Sequence, residues 1–290
     1  SYPLSMVKSI EGQSVAPLEE TGQTASKVEY FVQQGDHAML DEEYQQALNC
    51  YEEAKEIDPR FPFLQNRIAH AHASLGFYYD AIGQYEYAIT HYREALQRNS
   101  GDANVMNNLG VVFLHQGNYA QAKDYLRRAL DARPDHLAAA VNLGVWCYTQ
   151  QEYQRALAYY RRALRLSPAN ADLFYRIGLV HEVSRNWRKA ARYFLRAIEL
   201  DGGFVEAHVH LGGVYFAMGN HPGALNEFKK AIDLNESVCL PYFNLGVIYF
   251  DMDRPAEARQ AFHRAKELTQ DEKLLGKIDL FLKVLSQNSD

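Results

Sequence analysis

Small and apolar residues recur along this chain at a fixed interval. A glycine is followed twelve residues later by an alanine, and seven residues after that by a second alanine. The glycines of this series are Gly76, Gly110, Gly144, Gly178, Gly212 and Gly246. A further copy, Gly35 with Ala47 and Ala54, lies upstream of the first at a longer interval. A fixed period of this kind predicts a stack of similar units, each of which buries its apolar face only against a neighbour.

Placing the glycine eighth divides most of the chain into seven units of equal length. We number them one to seven; they span 28–61, 69–102, 103–136, 137–170, 171–204, 205–238 and 239–272. In unit three, apolar residues fall at helical spacing in two blocks, before and after the turn signal Gln116-Gly117-Asn118. The pattern predicts two helices per unit and an all-α fold. We expect Gly110 and Ala122 to let the two helices approach closely.

Three segments lie outside these units. Residues 1–27 show no apolar period, which predicts an extended or disordered N-terminal arm. The insert 62–68 begins with a proline, a residue favoured at a first helical position, and predicts a first helix in unit two about 10 Å longer than its peers. A loop is the alternative for that insert. Residues 273–290 contain an amphipathic stretch that predicts a capping helix, followed by a tail.

The spacing resembles the tetratricopeptide repeat, a helix–turn–helix of about 34 residues with small residues at positions 8, 20 and 27. All seven units carry that glycine and both alanines, although none has the family's tryptophan at position 4 and only Pro59, Pro134 and Pro168 supply its closing proline. The resemblance implies a right-handed α–α superhelix, or solenoid, of about seven units plus the capping helix. It also implies a non-catalytic scaffold whose first helices line a concave groove for an extended peptide or a partner helix.

In that family, positions 2, 5, 6, 9 and 12 of the first helices point into the groove. Position 6 holds Asn108 and Asn142 in consecutive units, which resembles the asparagine ladder in the repeat domain of O-GlcNAc transferase. Side-chain amides can both donate to and accept from a peptide backbone; an asparagine that only packs helices is the alternative. The candidate groove residues are Asn108, Val111, Val141, Asn142, Val145, Tyr148, Tyr175, Arg176, Leu179, His210, Phe243 and Asn244.

Charge adds a second candidate surface. The net charge of −6 conceals an acidic segment 1–60, at −8, and a basic segment 123–196, at +8. Positions 25 and 26 of the second helices would form an outer basic stripe of Arg127, Arg128, Arg161, Arg162, Arg196, Lys229 and Lys230. Such a stripe favours an alternative function, an assembly or regulatory subunit that binds an acidic partner. A solvated face with paired charges, or a self-associating structural protein, also fits the pattern.

Several functions are disfavoured by what the sequence lacks. Its three cysteines form no CxxC pair, and no apolar run reaches the length of a membrane-spanning helix. Nucleophile motifs, phosphate-binding glycine loops and HExxH are also missing. We therefore expect no catalysis, no metal or cofactor, no small-molecule substrate and no nucleic acid, but a protein or peptide partner. A cytoplasmic location is expected, and export or a periplasmic location after removal of a signal is the alternative.

Overall fold

A computed structural model describes the backbone of residues 16–287 and the side chains from residue 24 onward. Over this range the chain forms 15 α-helices and no strand, which confirms the all-α fold. The helices are α1 (Ala16–Leu40), α2 (Tyr44–Ile57), α3 (Leu64–Ala81), α4 (Tyr85–Arg98), α5 (Ala103–His115), α6 (Tyr119–Ala132), α7 (Leu137–Thr149), α8 (Tyr153–Leu166), α9 (Ala171–Val183), α10 (Trp187–Leu200), α11 (Val205–Ala217), α12 (His221–Leu234), α13 (Cys239–Asp251), α14 (Pro255–Leu268) and α15 (Glu272–Gln287).

The chain divides into two compact bodies, Ser1–Ala139 and Ala140–Asp290, here called the N-terminal body and the C-terminal body. In the N-terminal body, each helix from α1 to α5 packs against the next one along the chain. In the C-terminal body the same holds from α8 to α14, and the first helix α11 also contacts the first helices α9 and α13. Each body is therefore a run of helix pairs that bury their faces on their neighbours.

The glycine at position 8 makes room for a large side chain of the second helix, at position 24. A Cβ placed on Gly178 would lie 2.5 Å from Cε1 of Phe194, and all seven units show an approach of this kind, below 3 Å. In unit three the nearest atom is Cγ of Leu126 at 2.7 Å, whereas the carbonyl oxygen of Ala122 is 3.3 Å away. The expected Gly110–Ala122 contact is thus secondary. The glycine is required because the position-24 side chain packs directly against the backbone of the first helix at this point.

The turn within every helix pair has the same backbone conformation at position 15. The residue there has a positive φ, in the left-handed region, in all seven units: Glu42, Gly83, Gly117, Gln151, Arg185, Gly219 and Asp253. The following N–H donates back to the carbonyl at position 11, as Glu152 does to Cys147 at 2.8 Å, which is the bond of a Schellman motif. Only three of the seven residues are glycine, so the other four hold a conformation that disfavours a side chain by roughly 1–2 kcal/mol each.

The insert lengthens the first helix of unit two. Helix α3 has 18 residues, compared with 13 in α5, α7, α9, α11 and α13. Its first residue is Leu64 rather than Pro62, because Phe63 has left-handed backbone, with φ of 61°, immediately before the helix. The added turn carries Arg67, whose guanidinium donates to Asp36 at 2.9 and 3.1 Å. The extra residues therefore bind unit two to unit one.

The expected N-terminal arm is wrong for residues 16–27, because α1 begins at Ala16. Pro17 does not prevent this, since proline is tolerated in the first turn of a helix. Val28 and Val32, four residues apart on the same helix face, are 1% and 5% exposed and hold α1 in the core. Residues 1–15 lie outside the described range.

Helix α15 covers the last helix pair. It packs on α14, with Ile278 and Leu285 buried, and the ring of Phe281 stacks on Phe262 at 4.8 Å between centroids. Within the part of the chain that the structure describes, no helix is long and apolar enough to cross a membrane.

Candidate partner-binding surface

All twelve candidate groove residues are partly buried side chains on first helices. Their positions recur on one helix face because residues three, four and seven apart lie on the same side of a helix. Asn108 and Val111 belong to α5 of the N-terminal body, and the other ten belong to α7, α9, α11 and α13 of the C-terminal body. The candidates therefore fall into two groups, one on each body.

The first helices α9 and α11 of the C-terminal body meet at Glu182 of α9. Its carboxylate lies 2.8 Å from Nδ1 of His210 on α11, and the ring of Tyr175 meets His210 edge-on at 5.5 Å. Burial raises the pKa of Tyr148 on α7, and the nearby Tyr153 hydroxyl and Glu182 carboxylate raise it further. Two first helices, α9 and α11, thus contribute polar and aromatic groups to one surface, and the Glu182 carboxylate of that surface also affects Tyr148 of α7.

Tyr175 also packs against two other aromatic rings. Its ring lies 4.8 Å from Phe204 and 5.8 Å from Phe194, between centroids. Burial, with smaller contributions from Glu206 and Glu182, raises its pKa to about 12. Its hydroxyl therefore stays protonated near neutral pH and can donate a hydrogen bond.

The position-6 residues do not all offer free amides. Oδ1 of Asn108 accepts a hydrogen bond from Nδ2 of Asn107 at 3.2 Å, and Asn142 also has an interaction partner. Arg176 replaces asparagine in unit five, and its Nε donates to Asp172 at 2.6 Å. A bound peptide would therefore have to compete with, or add to, these interactions.

Phe243 lies against the capping helix. Its ring centroid is 5.9 Å from Phe262 and 6.2 Å from Phe281, and Phe250 contacts the same ring of α15 at 5.3 Å. The family-derived positions place Phe243 in the groove, but α15 supplies an intramolecular partner for it. Its neighbour Asn244 is partly exposed.

The outer basic stripe is exposed at six of its seven positions; Arg162 is partly buried. Three of the exposed residues face carboxylates of their own helices: Arg128 is 3.8 Å from Asp124, Arg196 is 2.7 Å from Glu199, and Lys230 is 2.9 Å from Glu227. Part of the positive charge is therefore compensated locally. Arg127, Arg161, Arg162 and Lys229 complete the stripe.

Two polar pairs between first and second helices were missed from the sequence. Nδ1 of His208 lies 2.6 Å from Oε2 of Glu227, with side chains only 4% and 8% exposed. In unit two the same positions, 4 and 23, hold His72 and His91, with 3.0 Å between the Nδ1 atoms. A comparison of positions 4 and 23 across the units would have revealed both pairs, because the other units carry mainly apolar or aromatic residues there.

Unfolding of the N-terminal body should become easier as the pH falls from about 6.5 to about 4. Burial, with help from Arg98 and His91, lowers the pKa of His72 to about 4, while Glu94 and Glu52 oppose this shift. An unfolded histidine takes up its proton near pH 6.5. Between these two pH values the unfolded state binds more protons than the folded state. The free energy of unfolding therefore keeps its full value above about pH 6.5 and falls by about 2–3 kcal/mol as the pH drops to about 4.

Urea unfolding at pH 7, 5.5 and 4.5 tests this expectation, with His72→Phe as the comparison. Phenylalanine is the natural residue at the same position of units one and five, as Phe31 and Phe174. The variant should lose most of the pH dependence over this range. An equally steep dependence in the variant would mean that other groups cause it.

Comparison with known proteins places the chain in a family. Models of the tetratricopeptide repeat match residues 101–169 and 241–272, and a further TPR repeat model matches residues 79–117 and 212–253. Together with the seven-unit pattern and the helix pairs, these matches show that the chain belongs to the tetratricopeptide repeat family. None of the curated proteins matches the sequence.

Solved structures show the same fold. The chain is similar to pilF of Pseudomonas aeruginosa, with a TM-score of 0.65 and 18% identity over 74% of this chain and 98% of that one. A tetratricopeptide repeat protein from Parabacteroides merdae ATCC 43184 gives 0.62 and 17% over 90% and 99%. YrrB, described as a TPR protein with an unusual peptide-binding site, gives 0.52 and 23% over 65% and 97%. Proteins of this repeat family serve as scaffolds for interactions with other proteins.

Proposed function

We propose that the chain is a non-catalytic scaffold that binds an extended peptide along the first helices of its C-terminal body. The observation that carries the proposal is the contact of α9 and α11 at His210, which lies 2.8 Å from the Glu182 carboxylate and meets the Tyr175 ring edge-on. Partly exposed aromatic rings beside fixed polar groups are common anchors of peptide interfaces.

Each group has a role in this proposal. Tyr148 and Tyr175 provide ring surface for apolar side chains of the peptide, and the Tyr175 hydroxyl donates to a peptide carbonyl. The amide of Asn142 bonds the peptide backbone, which allows binding without a strict sequence. Glu182 and His210 are already paired at 2.8 Å, so together they can hold one peptide N–H in place.

One comparison supports the proposal. YrrB, which shares the fold at 23% identity, is described as having a peptide-binding site. Asn108, on α5 of the N-terminal body, is a separate candidate for contacts with a peptide backbone.

A peptide selected from a random display library against the intact chain would test the proposal. The double variant Asn142→Ala with Tyr148→Ala should weaken binding of that peptide at least about 10-fold in calorimetry, since a central anchor contributes about 1.4 kcal/mol or more. Helix content should be unchanged, because both residues are partly exposed. Adding Asn108→Ala then measures any contribution of the N-terminal body.

The matched control is Arg161→Ala with Lys229→Ala, two exposed residues of the outer basic stripe. This control should bind the peptide like the original chain, and raised salt should have little effect, because salt screens exposed charges rather than apolar contacts. Weak binding in the control, together with normal binding in the groove variant, would refute the groove and favour an acidic partner on the stripe.

A further inference from the structure

The helix pair of each unit has an outer seam, formed by positions 4 and 11 of the first helix and position 23 of the second. A side chain at position 23 usually fills it. Tyr125 stacks on Phe113 in unit three at 5.7 Å, and Tyr193 stacks on His181 in unit five at 5.4 Å. In unit two, His91 stacks on the ring at position 11 in the same way, at 5.4 Å.

Unit seven has no such side chain, because its position 23 is Ala261. The seam there is open and forms a cavity of about 640 Å³. Leu245 and Ala261 are among its lining residues. Two tyrosine rings of the first helix, Tyr242 at position 4 and Tyr249 at position 11, also line it. Sites for small organic groups commonly measure about 300–1,000 Å³. The cavity is therefore large enough for a group that enters from outside.

The walls of this cavity are suited to an aromatic ring. Leu245 and Ala261 are buried, so the base of the cavity is apolar. Arg264 lies 5.9 Å from the Tyr242 ring centroid and Arg254 lies 4.8 Å from that of Tyr249, so each tyrosine is fixed by a cation. Both arginines are themselves paired with carboxylates, Glu267 and Glu257, which leaves the rim close to neutral.

We propose that this cavity binds a tyrosine side chain of a partner protein, which takes the place that the chain's own ring occupies in the seams of units three and five. The filled seams specify the occupant, because Tyr125 and Tyr193 occupy the equivalent position with a phenol ring. Polar groups at the mouth, among them Gln260 and His263, can hydrogen-bond the phenol hydroxyl. The site lies on other helix positions than the peptide surface proposed above and does not depend on it.

The intact, isotope-labelled chain titrated with p-cresol, the side-chain analogue of tyrosine, tests the site by NMR. Saturable shift changes are expected at α13 and α14, and 4-methylcyclohexanol, the matched aliphatic alcohol, should bind at least about 5-fold more weakly. Ala261→Tyr should abolish the p-cresol response and leave the melting temperature unchanged or higher, because it fills the seam as Tyr193 does. Ala132→Tyr, at an exposed position of α6, is the control and should bind p-cresol normally.

Three results would overturn the proposal: no saturable response to p-cresol, equal affinity for the aliphatic alcohol, or an undiminished response in Ala261→Tyr. A marked loss of stability in Ala261→Tyr would also count against it, since a ring would then not fit the seam. In that case Tyr249→Leu, which removes one wall of the cavity without adding volume, decides the matter: it should weaken p-cresol binding at least about 5-fold, and unchanged binding overturns the site.

Discussion

Replacing Gly212 with alanine should lower the free energy of unfolding of the C-terminal body by about 1–3 kcal/mol. The new Cβ would lie 2.7 Å from Cε1 of Phe228, whose ring is 1% exposed and so has little space into which to move. Helix propensity works in the other direction, because alanine is favoured over glycine in a helix by about 1 kcal/mol. A net loss would show that the packing against Phe228 outweighs the propensity.

Gly213 provides the matched control in the same helix. A Cβ added there meets nothing within 4 Å, so Gly213→Ala should raise stability by about 0.5–1 kcal/mol. Urea unfolding followed by circular dichroism, with hydrogen exchange to locate the effect in α11 and α12, measures both variants. Opposite signs at two adjacent glycines are the expected result. Stabilisation by both substitutions would refute the packing role of the position-8 glycine.

Replacing Glu227 with alanine should cost about 3 kcal/mol, because removal of one partner from a buried polar pair leaves the other without compensation. His208 would lose its 2.6 Å contact in a site where both side chains are almost completely buried. Burial by itself raises the pKa of Glu227, but the hydrogen bonds from His208 and Lys230 outweigh burial and hold that pKa below its usual range. The carboxylate is therefore ionised at neutral pH.

Two control variants separate the contributions to this pair. Lys230→Ala removes the half-exposed partner of Glu227 and should cost under about 1 kcal/mol, as exposed ion pairs do. Glu227→Gln keeps a hydrogen-bonding group beside His208 and should cost less than Glu227→Ala. If Lys230→Ala were as damaging as Glu227→Ala, the ion pair with lysine rather than the buried contact with His208 would be the main stabilising interaction.

The sequence was sufficient for the fold because packing within a unit allows few residue types at positions 8, 20 and 27. Gly178 illustrates this: only glycine leaves room for Phe194. The helix over residues 16–27 was missed because that segment lies outside the repeat, and periodicity carries no information there. Helix α1 extends into this segment from Val28, the buried residue that holds the helix in the core.

The candidate surface was predicted less completely, because partly exposed positions tolerate many residues. The repeat indicates which face Tyr148 and Tyr175 occupy, but not that Glu182 and His210 pair beside them. Such pairs depend on which side chains happen to meet between neighbouring first helices. The open seam at Ala261 was missed for a related reason, since it is visible only when the units are compared with one another.

The left-handed residue at position 15 also indicates how this chain could be engineered. Glu42, Gln151, Arg185 and Asp253 each occupy a conformation that Gly83, Gly117 and Gly219 adopt without steric cost. These four sites lie in exposed turns. They offer separate places at which a more heat-resistant version of the protein could be made, one unit at a time, without altering any side chain that is proposed to contact a partner.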